Sequence, residues 1–235
     1  MLGTMKADRI LILGNSITLH GVHEPYGWLH HCGMAASAPE KDYVHRLAAA
    51  IDARTGGKLS IRATRAPEGD APEDYPNVVN VADIFERKYA AFSCAALQPQ
   101  LDQKPDIVVL QFGENTPMDT FDADAYRKGL RLMLTSLKEP SDPFIFVTSQ
   151  ILGDGGVKDQ IKRELCAEDP SRRTYVDLSD FGKDPANFAS AEPHYKGIIV
   201  GHPGDKGMAV IADALLKAML TRAGLQQPET GNGAR

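Results

Sequence analysis

Three short stretches of this chain carry residue types that could do chemistry together: Gly14-Asn15-Ser16, Gly113-Glu114-Asn115-Thr116 and Gly201-His202-Pro203-Gly204-Asp205. A serine just after a glycine, where the backbone can turn sharply, can offer both its hydroxyl and its backbone N–H to a bound carbonyl. An asparagine amide held at a strand end can donate to a developing oxyanion. A histidine in a turn restrained by proline can take up a proton near neutral pH. Each has a plainer reading, since serine caps helices, asparagine favours turns and a lone histidine is more often structural. What raises them above that reading is where they fall along the chain.

Five β-rich runs recur: 9–13 (RILIL), 58–64 (KLSIRAT), 106–112 (DIVVLQF), 143–149 (PFIFVTS) and 174–179 (TYVDLS). Each is nearly continuous in apolar residues, as a strand covered on both faces must be. Helical segments lie between them. The first opens at Ser37-Ala38-Pro39-Glu40, a capping box with an early proline, and stops at Gly56-Gly57. The others are expected over Asn80 to Leu97, Asp122 to Lys138, Val157 to Ala167 and Asp205 to Arg222.

This alternation predicts an α/β fold, a three-layer α/β/α flavodoxin-like sandwich on a five-stranded parallel sheet with right-handed crossovers. Ligands of such sheets bind outside the carboxyl ends of the strands. Ser16 and Asn115 each follow a strand, and His202 stands just before the last helix. The chain reads as one domain, with its core over about residues 8–224, an exposed Pro- and acid-rich loop at 66–77, and a polar, disordered tail at 225–235.

With 235 residues, 43% of them hydrophobic, the chain can fill a sizeable core. Its formal charge of -5 gives no basic footprint for nucleic acid, and no Lys/Arg run adjoins an apolar helix as at a membrane surface. The first residues, MLGTMKADRILIL, match neither a secretory signal nor a membrane span. Three cysteines at wide spacing argue against a disulfide framework. The expectation is a cytoplasmic protein, unless an export leader has been removed.

The blocks GNSIT, GENT and GHPGDKG resemble, in order and spacing, the first, third and fifth blocks of the SGNH (GDSL-type) hydrolase family, over about residues 8–222. The stretch GMAASAPEKDYVHRLAAAI also resembles a subgroup of bacterial members of that family. The resemblance implies a flavodoxin-like fold, Ser16 as nucleophile forming an acyl-enzyme, His202 as general base, and an oxyanion hole from Asn115 and the backbone N–H of Ser16. No cofactor is expected.

Three features depart from the family pattern. Asn15 stands where the first block usually has an aspartate; an amide can still hydrogen-bond in that turn. The second block's glycine is missing before the second helix, so Asn80 is the expected third oxyanion donor, with Gly69 as rival; any residue but proline has an N–H to give. The triad aspartate, generally three residues before the histidine, is replaced by Ile199. Either a backbone carbonyl holds His202 in a Ser-His dyad, or a carboxylate from elsewhere reaches it. Glu192 is the nearest upstream, whereas Asp205, at a helix start, is expected to cap and to complement the helix dipole.

The stretch LHGVHEPYGWLHHCG gathers His20, His23, His30, His31 and Cys32, but it lacks the close ligand pairing of structural zinc sites, and no metal is expected. The same insertion, with Tyr26 and Trp28, is expected beside the mouth of the cleft, where an aromatic could stack on a sugar or simply pack on the sheet. Nucleotide-binding glycine motifs are absent. The chain is therefore expected to be a serine esterase acting on a small-molecule or carbohydrate ester, with deacetylation of a carbohydrate as the specific form. The competing expectation, motivated by Ile199, is a binding or scaffold protein that has kept the fold without the activity.

Overall fold

A computed structural model describes residues 1–57, 77–191 and 195–225. Five parallel strands, β1 (Ile10–Gly14), β2 (Asn77–Asn80), β3 (Ile107–Gln111), β4 (Phe144–Thr148) and β5 (Arg173–Val176), form one sheet in the order β2-β1-β3-β4-β5. That is the flavodoxin-like order, with the chain reversing direction across the sheet between β2 and β3. The expected strand at 58–64 lies outside the described residues, as do Gly69, Glu192, most of the 66–77 loop and all but the first residue of the tail; the strand found beside β1 is Asn77–Asn80.

Side chains alternate between two cores. Ile10, Ile12, Ile107, Val109 and Phe146 face a layer made by α1 (Tyr43–Thr55) and α5 (Asp205–Arg222), whereas Leu11, Leu13, Val108, Leu110, Ile145 and Val147 face α3 (Ala123–Lys138) and α4 (Gly156–Ala167). Both faces of the central strands are covered, which is why these strands are apolar throughout.

The helix ends carry two corrections. α1 is capped by Asp42, whose carboxylate accepts from His45 N, while Pro39–Lys41 is a separate 3-10 turn. Ser37 does not cap it: its N–H and hydroxyl both donate to Asp205, at 2.7 Å each. Asp205 in turn caps no N–H of α5. Glycine stands at that N-cap, and the carboxylate ties the α5 start to the loop before α1, with Lys41 at 3.0 Å. α3 starts where expected, with Asp122 accepting from Asp124 N and Ala125 N.

The expected helix over Asn80 to Leu97 is not continuous. It breaks into a π-turn at Ala82–Glu86, 3-10 turns at Tyr89–Ala91 and Cys94–Leu97, and a four-residue helix α2 (Gln98–Leu101). The first turn is wide because Glu86 N and Arg87 N reach back five residues, to Val81 O and Ala82 O. This swings Glu86 inward, where it is fully buried. Wide turns of this kind are frequent at functional sites.

Candidate active site

Gly14, Asn80 and Gln111 are register partners across β2, β1 and β3, so the segments leaving these strands emerge side by side at the carboxyl edge of the sheet. Gly14 is dictated by crowding, since a Cβ there would meet Thr18 Oγ1 at 1.8 Å and Gln111 O at 2.9 Å. The turn that follows is closed by Thr18 N and Leu19 N donating to Asn15 O, with Ile17 N donating to Asn15 Oδ1. Ser16 sits on this turn, and its carbonyl accepts from Met34 N.

His202 follows a 3-10 turn at Gly197–Gly201 and immediately precedes Pro203. Its Nε2 lies 2.9 Å from Ser16 Oγ, and its Nδ1 lies 2.9 Å from Ile198 O. Because a carbonyl only accepts, Nδ1 carries the proton and Nε2 presents its lone pair to the serine hydroxyl. Ile199, where the family resemblance would put an aspartate, is buried in the core under α5. Burial lowers the His202 pKa below the ordinary histidine value and nearby His20 lowers it further, while the bond to Ile198 acts in the opposite sense.

The third block follows β3. Gly113 adopts φ +136°, in the region that favours glycine, and its carbonyl accepts from the buried Lys158 at 2.7 Å. Asn115 is held by its neighbour Glu86: Asn115 N and Gly113 N both donate to Glu86 Oε1, and Asn115 Nδ2 donates to Oε2 at 2.8 Å. Arg87 Nη2 donates to Asn115 Oδ1 at 3.1 Å. Glu114 turns the other way, accepting from Asn15 Nδ2 at 2.6 Å and Ile151 N at 2.8 Å. Burial and Glu86 push its carboxyl pKa up, and Lys162 pulls it back in part.

Ser16, Asn80, Asn115 and His202 border one cavity of about 830 Å³, together with His20, Arg87, Leu152 and Ile198. The amide of Asn80 bridges Leu19 O and Ala82 N, and Val81 N donates to Gly14 O at 2.6 Å. The 20–32 insertion forms two short antiparallel bridges, His20 with Cys32 and His23 with Trp28. Trp28 is buried against Tyr195 and so is no sugar platform, whereas Tyr26 stacks on His23 with centroids 4.6 Å apart. Among the described residues no cluster of three or more His, Cys, Asp or Glu side chains is arranged to hold a metal ion.

Two groups that hold these side chains were not named from the sequence. The carbonyl of Ile198 carries no side-chain signature. Glu86 lies in IFER, a segment that looks like an ordinary amphipathic helix, and only its apolar neighbours Ile84 and Phe85 hint that a carboxylate is being taken inside.

No family model matches the chain, and no curated protein matches it. Solved structures do. One is a two-domain esterase active on acetylated mannans (TM-score 0.58, 14% identity, all of this chain and 55% of the other). A salicylyl-acyltransferase from a tetracycline biosynthetic pathway matches similarly (0.58, 13%, 93% and 55%). A carbohydrate esterase family 3 protein from Talaromyces cellulolyticus matches over nearly its full length (0.56, 15%, 92% and 98%). The chain thus spans about half the length of the first two, at 55% each. At these identities the likeness is one of fold, an α/β sandwich shared with esterases. Among the described residues no helix is long and apolar enough to cross a membrane.

Proposed function

We propose that this chain is a serine ester hydrolase of the SGNH type, removing a short acyl group, acetyl in the favoured form, from a carbohydrate through a Ser16–His202 dyad. The observation that carries the reading is the 2.9 Å contact between Ser16 Oγ and His202 Nε2 in a cleft shared with Asn115. His202 Nε2 takes the hydroxyl proton as Ser16 Oγ attacks the ester carbonyl. The oxyanion receives N–H groups from Ser16 and Asn115, with Asn80 as the third donor in this reading. Collapse expels the alcohol oxygen, which takes the proton from Nε2, and leaves an acyl-serine. Water then gives a proton to Nε2 and attacks the acyl carbon, and the acid leaves as the proton returns to Ser16.

The missing aspartate is less damaging than it looks. Where a triad acid is replaced by an amide, turnover falls about ten-thousandfold largely because the wrong tautomer results. The Ile198 carbonyl supplies the right tautomer and omits only the negative charge. Acetylated carbohydrates are favoured because two of the fold neighbours are described as esterases acting on acetylated mannans or as carbohydrate esterases.

The test is hydrolysis of p-nitrophenyl acetate and of acetylated oligosaccharides by the parent protein and by Ser16→Ala. Loss of at least about a thousandfold in kcat with the serine supports the dyad. Equal slow release from both proteins, with acetylated sugars and longer acyl chains also untouched, supports the binding or scaffold alternative.

A further inference from the structure

Beneath the cleft lies a buried polar cluster that the dyad does not use. Asn15 and Glu86 are both fully inaccessible, and Asn15 Nδ2 donates to Glu86 Oε1 at 3.2 Å and to Glu114 Oε2 at 2.6 Å. Because Ile17 N donates to Asn15 Oδ1, the orientation of that amide is fixed and both of its N–H groups face carboxylates. The amide of Asn115 is fixed just as firmly. Its Nδ2 faces the acceptor Glu86 Oε2 and its Oδ1 faces the donor Arg87 Nη2. One N–H of Asn115 goes to Glu86, and the other is left for the cleft. A flip by 180° would oppose donor to donor and acceptor to acceptor at once.

We propose that Glu86 is the positioning residue of this site, holding the oxyanion amide of Asn115 directly and the Ser16 turn through Asn15. The inference rests on the hydrolase reading. Glu86 accepts four N–H groups, from Asn15, Gly113 and the main and side chains of Asn115, and a carboxylate is the side chain able to accept all four. It also accounts for the departure at position 15. An aspartate there would set a third carboxyl group against Glu86 and Glu114 and lose the N–H groups that the amide gives to both. The acid of the family's first block is thus excluded by the acids on either side of it.

The experiment compares Glu86→Gln with the parent by steady-state kinetics on p-nitrophenyl acetate, by thermal unfolding, and by the ¹⁵N side-chain amide signals of Asn15 and Asn115. A glutamine sets an N–H against Asn115 Nδ2. The expected result is a kcat about a hundredfold lower, the cost of one oxyanion donor, with KM within about twofold. The Asn115 amide signals shift and lose their protection from exchange. A folded Glu86→Gln protein with parental kcat and unchanged amide signals overturns the proposal.

A second arm tests the hold on the Ser16 turn through Asn15, with Glu86 left in place. Asn15→Asp opposes acceptor to acceptor and Glu114→Gln opposes donor to donor, so each alone lowers kcat and the unfolding temperature. The pair together restores a donor facing an acceptor, and recovers at least about tenfold of the lost kcat. Additive losses in the double variant overturn the bridge. A parent inert on every ester overturns the hydrolase reading instead, and the amide signals then decide by themselves whether Glu86 holds Asn115.

Discussion

In the proposed reaction Ser16 gives its proton to His202, and the imidazolium so formed has a neutral carbonyl behind it where a triad would have a carboxylate. Its Nδ1 donates to Ile198 O at 2.9 Å, and the ring is largely buried. Burial is the main cause of its lowered pKa, the charge of His20 adds to it, and the Ile198 bond offsets part. A base works in its neutral form, so a lowered pKa keeps it competent further into acid. The pH dependence of kcat/KM on p-nitrophenyl acetate is expected to fall only below the ordinary histidine value of about 6.5, and His20→Asn is expected to move the limb up. A limb at or above that value would contradict the burial argument. The residues that announce themselves in the sequence are those whose side chains carry recognisable chemistry. The serine, the amide and the imidazole were legible at strand ends and before a helix, while Ile198 O, being main chain, could only be left as one of two ways to hold the ring.

Among the elements, α3 was readable to within a residue because its cap, Asp122, and its apolar period agree. The second helix was not readable, because the sequence period of Ile84, Phe85, Tyr89 and Phe92 continues smoothly through a wide turn that only the tertiary partners of Glu86 require. The strand beside β1, Asn77–Asn80, was not read from the sequence, since NVVN holds only two apolar residues and runs straight into the segment expected to be helical. α3 also carries a liability. Tyr126 is fully buried among Phe85, Tyr89 and Phe121, and its hydroxyl has no hydrogen-bond partner among the described residues. Burying a lone hydroxyl costs about 1 kcal/mol or more. Tyr126→Phe removes the hydroxyl and keeps the ring, so it is expected to raise the unfolding temperature by roughly 2 to 4 °C with kcat unchanged. A lower unfolding temperature would mean that the hydroxyl is satisfied after all.

Across the whole molecule, the sheet order brings the β1, β3 and pre-α5 loops to one edge, and folding therefore buries titratable groups there that the unfolded chain leaves in water. Two of them pull stability in opposite directions as pH changes. His202 has its folded pKa below the unfolded value of about 6.5. The folded state then binds the proton less well, and stability falls as pH drops from about 6.5 toward the folded value. Glu114, packed with Glu86, Asn15 and Lys162 nearby, has its folded pKa raised above the unfolded value of about 4.3. Its contribution is fully present below that value and is lost as pH rises through the folded pKa. Unfolding followed from pH 8 down to pH 4 in the parent, His202→Gln and Glu114→Gln proteins separates the two. His202→Gln is expected to flatten the loss that begins below about pH 6.5. Glu114→Gln is expected to remove the compensating gain, so that its stability falls more steeply than the parent's on acidification. Parallel curves for all three proteins would mean that neither group titrates differently in the folded chain, and the electrostatic account of the cleft floor would fail with them.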